Sequence, residues 1–179
     1  DIVILHALTK NEHAEQLHQM EKIAKSVQSM LSAATEDSAL ISTSLYMDNS
    51  LQDFVSRQYA SPQDYFSSYR EYIHNSLLQG VSRITNSVIR VYADNETLIN
   101  GSEFARLSTV SQEPWHQQYT ADGYSPRLLF SYDETDGRQV LFLRGMNGLY
   151  SNKAERLLCI EINYSTLDRD FQNMGYNDS

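Results

Sequence analysis

The apolar residues Leu17, Met20, Ala24, Val27, Leu31, Ala34, Ile41 and Leu45, with Ser38 the one polar member of the series, recur at alternating intervals of three and four. That spacing places them on one face of a helix. The pattern predicts an unbroken helix from about Lys10 to Leu45, roughly 50 Å long at 1.5 Å per residue. A compact domain of this size needs no helix that long, so its apolar face requires more cover than the domain supplies. The far half is expected to pack on the domain's own sheet, and the near half to pair with a copy of itself in a homodimer.

Two shorter helices follow. In YMDNSLQDFVSRQY, Asp48 or Asn49 is placed to cap a helix whose apolar face is Leu51, Phe54 and Val55. In SPQDYF, Ser61 is an N-cap, Pro62 stands at the first helical position, and Asp64 favours the positive end of the dipole. The third helix should bury Phe66, Tyr69, Ile73 and Leu77 and end at Gly80.

After Gly80 the period changes to the alternation of strands. Val88–Ala93 and Thr97–Ile99 flank an Asp94-Asn95-Glu96 corner and read as a hairpin, with the three polar residues serving the turn rather than chemistry. Leu128–Asp133 and Gln139–Arg144 flank Asp136-Gly137, a strong hairpin signal because both positions tolerate positive φ. Leu157–Tyr164 is the last strand. Between the hairpins SQEPWHQQY reads as one or two helical turns carrying Trp115, with Ser111 as a cap. Helices first and strands afterwards predict an α+β domain over residues 1–179, with a five-stranded antiparallel sheet within 81–165 and a tail from 166 to 179.

The formal charge of −9, from 14 basic and 23 acidic residues, would repel a phosphate backbone and argues against a nucleic-acid partner. Forty-one percent apolar residues and 21% charged ones suit a globular chain. Cys159 is the only cysteine, which excludes an internal disulfide and a cysteine-based zinc cluster. No run approaches the roughly 20 apolar residues that span a bilayer. The opening DIVILHAL is either the end of a spanning helix or an ordinary folded N-terminus, and both readings stay open.

Catalytic patterns are absent. The histidines His6, His13, His18, His74 and His116 form no H-E-x-x-H pair, and no G-x-S-x-G elbow, Ser-x-x-Lys, G-x-G-x-x-G or P-loop occurs. YDETDG fails as a calcium loop because Tyr132 and Leu143 stand at its end positions. No cofactor or metal is expected.

The order of features resembles a known family. A long seam helix, two short helices, VIRVYADN, the EPWHQQY turn and three late strands ending in LLCIEINYSTLDRDF are similar to the extracellular sensor region of membrane histidine kinases of the YesM and LytS kind. The sensing modules of that family are PAS-like Cache domains. The resemblance implies a long N-terminal helix across one face of the sheet and a small-molecule pocket on the other, under the Trp-bearing segment. It also implies membrane helices before Asp1 and after the TLDRDFQNMGYNDS tail, a non-catalytic role, and a cytoplasmic kinase beyond this chain. Chemoreceptors and cyclases carry similar modules. The chain departs from the pattern of amino-acid-binding members, having Glu113 for an Arg, His116 for a Tyr and Tyr119 for an Ala, so the resemblance does not carry an α-amino acid ligand.

Strand alternation nominates the site. In the first strand Ile89, Val91 and Ala93 suit packing under the long helix, leaving Arg90, Tyr92 and Asp94 on the other face. Phe142 and Arg144, and Glu161 and Asn163 with Cys159, are assigned to that same polar face. Trp115, His116 and Tyr119 would cover it from above. Two arginines facing a cavity would suit a carboxylate or other anionic ligand. The competing reading is that Arg90, Arg144 and Glu161 form the solvated face of a half-exposed sheet. A third possibility is an interaction module that meets a protein or peptide through its sheet edge or exposed tyrosines, of which the chain has 12 in all.

Overall fold

The structure is a computed structural model that describes residues 1–135, 137–147 and 156–162, with only the backbone of Asp133. The chain divides into two compact units, one containing residues 1–34 and the other residues 35–164. The first helix, α1 (Ile2–Tyr46), belongs to both. It starts eight residues earlier than the periodicity predicts, because Asp1 caps it: the Asp1 carboxylate accepts from the Val3 N–H at 3.3 Å and its carbonyl from the Leu5 N–H at 3.2 Å. DIVILHAL is therefore the first two turns of α1. Among the described residues, no helix is long and apolar enough to cross a membrane.

In the first unit α1 buries nothing fully. Met20 is 64% exposed and Val27 36%, so among the described residues the near half of the seam is only partly covered. In the second unit Ser38, Ser42 and Leu45 are buried at intervals of four and three. The far half of the seam packs into the second unit's core, as expected of it.

Helix α2 (Asn49–Ser56) is capped by Asp48, whose carboxylate accepts from the Ser50 N–H at 3.0 Å, and it buries Leu51, Phe54 and Val55. Helix α3 (Pro62–Ile73) is capped by Ser61 through the Asp64 N–H. The predicted third helix breaks in two. It stops at Ile73, and Ser76 caps a new helix, α4 (Leu77–Thr85), by accepting from the Gln79 N–H. Gly80 lies inside α4, and Asn86 at φ 51° ends it instead. The inward stripe of α3 is Tyr65, Tyr69 and Tyr72 rather than one built on Phe66, which is half-exposed; these tyrosines ring Phe54, with Tyr72 stacked on it at 5.0 Å.

The strands are β1 (Val88–Ala93), β2 (Phe104–Arg106), β3 (Arg127–Asp133), β4 (Gly137–Gly145) and β5 (Arg156–Ile162), with α5 (Pro114–Ala121) between β2 and β3. They form one sheet in the order β2-β1-β5-β4-β3. The protein is α+β as predicted, but the sheet is mixed rather than antiparallel, because β2 runs parallel to β1.

The cause is Asn95. Thr97–Ile99 is not a strand and makes no hairpin with β1. The buried Asn95 side chain donates to the carbonyls of Val55 (3.0 Å) and Arg57 (2.9 Å) and accepts from the Thr97 N–H and hydroxyl. These bonds draw the chain toward the end of α2 and satisfy polar backbone that would otherwise be buried unpaired. The chain then returns to lay Phe104–Arg106 beside β1. The corner is structural, as expected, and a buried Asn95 also closes its Asn-Glu-Thr triplet to glycosylation in the folded protein.

Each face of the sheet carries its own core. Leu45, Leu51, Phe54, Ile89, Val91, Phe142, Leu158 and Ile160 pack on the helix-covered face. Tyr92, Trp115, Tyr119, Leu141, Leu143, Leu157 and Cys159 pack on the other. Each fully buried large apolar side chain contributes about 1.5–3 kcal/mol.

Candidate functional site

On the α5 side of the sheet lies a cavity of about 180 Å³. Its floor comes from three adjacent strands. Leu141 of β4 and Val88 of β1 flank Glu161 of β5 in one cross-strand row, while Arg90 of β1 faces Cys159 of β5 in the next. Directly opposed residues share a face, which is why β1 and β5 deliver their polar residues to the same place. Tyr92 and Trp115 make an aromatic end wall with ring centroids 6.1 Å apart, and Glu113 and Gln139 complete the rim. Pro114 at the first position of α5, rather than the predicted Ser111 cap, fixes where Trp115 enters.

The site holds one cation and two anions. Burial would lower the Arg90 pKa, but the Tyr92 hydroxyl and the Glu161 carboxylate outweigh it and hold the guanidinium charged. Burial raises the Tyr92 phenol above its ordinary range. Cys159, fully enclosed, is pushed up to about 12, also by burial, so its thiol is protonated at neutral pH and is no nucleophile. The arrangement can orient a small polar molecule: Arg90 offers a fork of donors, and Glu113 and Glu161 accept from donors or balance a positive group.

Four of the nine predicted residues line this cavity: Arg90, Tyr92, Trp115 and Glu161. His116 and Tyr119 are buried beside it without lining it. His116 packs edge-on against Trp115, and its Nε2 has no hydrogen-bond partner among the described residues. The Tyr119 hydroxyl accepts from the Gly145 N–H at 2.9 Å and donates to the Tyr124 carbonyl at 2.6 Å. Phe142 and Arg144 lie on the opposite face from the one assigned to them. The register pairs Phe142 with Ile160 and Leu141 with Glu161, so Phe142 joins the helix-covered core and Arg144 turns to α1. Leu141, Phe142 and Leu143 are all apolar, and no alternation within them marks the phase; the arginine suggested the wrong one. Asn163 lies outside the described residues.

Sequence reasoning placed Cys159 on this face without naming it as a site residue, and missed Val88, Val110, Glu113, Gln139 and Leu141 as cavity wall. Gln139 and Leu141 follow from the alternation of β4 once its phase is correct. A wider groove of about 700 Å³ lies on the helical side, among Asp48, Asp53, Phe54, Arg57, Glu71 and Tyr72. It is open to solvent along its length, whereas the cavity under Trp115 is walled by both a sheet and a helix. No protein-family model matches the sequence, and no curated protein matches it.

Proposed function

We propose that this protein is the ligand-sensing, non-catalytic extracellular domain of a transmembrane histidine kinase. In this reading it binds a small molecule on the α5 face of its sheet and signals through α1. The observation that carries the reading is the 180 Å³ cavity, in which Arg90, Glu161 and Glu113 converge beside Trp115 and Tyr92 while α1 packs on the reverse face of the same sheet. A cavity of that volume suits a compact polar metabolite and is far too small for a polymer. The arrangement agrees with the resemblance to PAS-like Cache sensors. It also offers no activated nucleophile, since the cavity's only thiol is held protonated.

Ligand binding shifts two states only by its differential affinity for them. In the intact receptor the output would be a change at α1, whose near half would pair with a second copy through its exposed seam. A chemoreceptor or cyclase could use the same module. An interaction module is the second reading, favoured by Phe130 (66% exposed) and Tyr132 (73%) on the edge strand β3.

A thermal-shift titration against a library of small polar metabolites tests the proposal. A specific ligand should raise the midpoint saturably, and Trp115→Ala and Glu161→Gln, both still folded, should abolish the effect. A library with no saturable hit, or a shift that survives both substitutions, would overturn it.

A further inference from the structure

We infer that Tyr119, Gly145 and Arg144 form a strut that couples the Trp115-bearing helix on one face of the sheet to the last turn of α1 on the other. Its meaning as a signal path rests on the sensor reading, but the mechanical coupling stands on geometry alone.

Trp115 and Tyr119 are one helical turn apart and both point from α5 into the same core. The Tyr119 hydroxyl is fully engaged, accepting from the Gly145 N–H at 2.9 Å and donating to the Tyr124 carbonyl at 2.6 Å. Gly145 ends β4, and its neighbour Arg144 necessarily points to the other face of the sheet. There the Arg144 Nη1 donates to the hydroxyls of Ser42 (3.1 Å) and Thr43 (2.9 Å). Both hydroxyls donate onward to one acceptor, the Ala39 carbonyl, at 2.8 and 2.9 Å. The guanidinium also lies 4.9 Å from the centre of the Tyr46 ring. Two consecutive residues of one strand thus hold α5 through Tyr119 on one face and α1 through the Ser42 and Thr43 hydroxyls on the other.

The chain has little slack. Tyr119 and Ser42 are fully buried, so water does not cheaply replace the links they make, whereas the Arg144–Thr43 bond is exposed. A movement of α5 by about 1 Å, such as a molecule seating against Trp115 would require, either breaks the bond to Gly145 or carries the end of β4 with it. In the second case Arg144 moves against the last turn of α1. This gives the domain two discrete arrangements of a packed junction, the kind of element that converts a small displacement into a switch.

The test needs no ligand, so its failure is distinguishable from failure of the sensor reading. Amide hydrogen exchange would be followed by mass spectrometry in the wild-type protein, in Tyr119→Phe, in Ser42→Ala/Thr43→Val and in their combination. Tyr119→Phe should speed exchange of the amides at 43–46, across the sheet from the substitution, by about fivefold, equivalent to about 1 kcal/mol. Ser42→Ala/Thr43→Val should do the same to the amides at 116–121. Amides of α2 should stay within about twofold, which separates coupling from general loosening. The combined variant should fall short of the product of the separate effects, because the strut is already cut. Gly145→Ala keeps the N–H, and its added Cβ would meet nothing nearer than 3.8 Å, so it should leave both segments unchanged. Should Tyr119→Phe not fold, the Ser42/Thr43 variant poses the same question from the other side. Effects confined to the face of each substitution, or fully multiplicative effects in the combination, would overturn the inference.

Discussion

The guanidinium of Arg144 lies 4.9 Å from the centroid of the Tyr46 ring and donates two hydrogen bonds to hydroxyls on the last turn of α1. A cation at a helix C-terminus also complements the negative end of the dipole. Arg144→Gln should lower stability to urea by about 1–3 kcal/mol, summing the cation–π and charged hydrogen-bond contributions. Arg144→Lys should recover only part, since an ammonium cannot present the planar fork. An unchanged unfolding midpoint in Arg144→Gln would show the contact to be idle.

Asn95 is the residue on which the sheet topology turns. Asn95→Ala leaves the carbonyls of Val55 and Arg57 without their side-chain donor in a buried setting, a loss of about 2–3 kcal/mol measurable by chemical denaturation. Asn95→Asp should fare no better, because a carboxylate cannot donate to either carbonyl.

Alkali should destabilise the protein before acid-labile groups matter. The Cys159 thiol is raised from 9.0 to about 12 in the folded state, and the Tyr59 phenol from 10.0 to about 12, both chiefly by burial. Between its unfolded and folded values each group binds more protons folded than unfolded, so the derivative of stability with pH is negative there. The contribution is complete below about pH 9 and is lost as pH rises toward 12. Melting temperatures from pH 8 to 11 should fall steadily, and less steeply in Cys159→Ala. At pH 8 a thiol reagent should label Cys159 only after unfolding.

The near half of α1 tests self-association apart from folding. Met20 is 64% exposed and Val27 36%, and neither belongs to the buried core, so Met20→Asp/Val27→Asp should leave urea stability within about 0.5 kcal/mol. If the seam joins two copies, sedimentation velocity should show a dimer for the wild-type protein and a monomer for the variant. Equal sedimentation of the two would argue against the seam as an interface.

Local rules carried much of the architecture. Caps at Asp48 and Ser61, Pro62 at a first helical position and the alternation of β1 and β5 depend on residues near one another in the chain, and each appears as read. Where the local signal was ambiguous, reading failed. Gly80 is compatible with a helix end, yet Ser76, four residues earlier, supplies a hydroxyl that caps a fresh helix, and the capping bond wins.

The sequence by itself determined the helix-then-strand order, the seam of α1 and which β1 and β5 side chains face the cavity, because these follow from periodicity along a single segment. Tertiary structure decided the rest. Only the register with β5 set the phase of β4 and sent Phe142 and Arg144 to the helix face. Only Asn95 reaching some 40 residues back to Val55 and Arg57 turned a presumed hairpin into a parallel pair. Hydrogen bonds between distant segments leave no period in the chain, so their consequences become visible only when the partners are brought together.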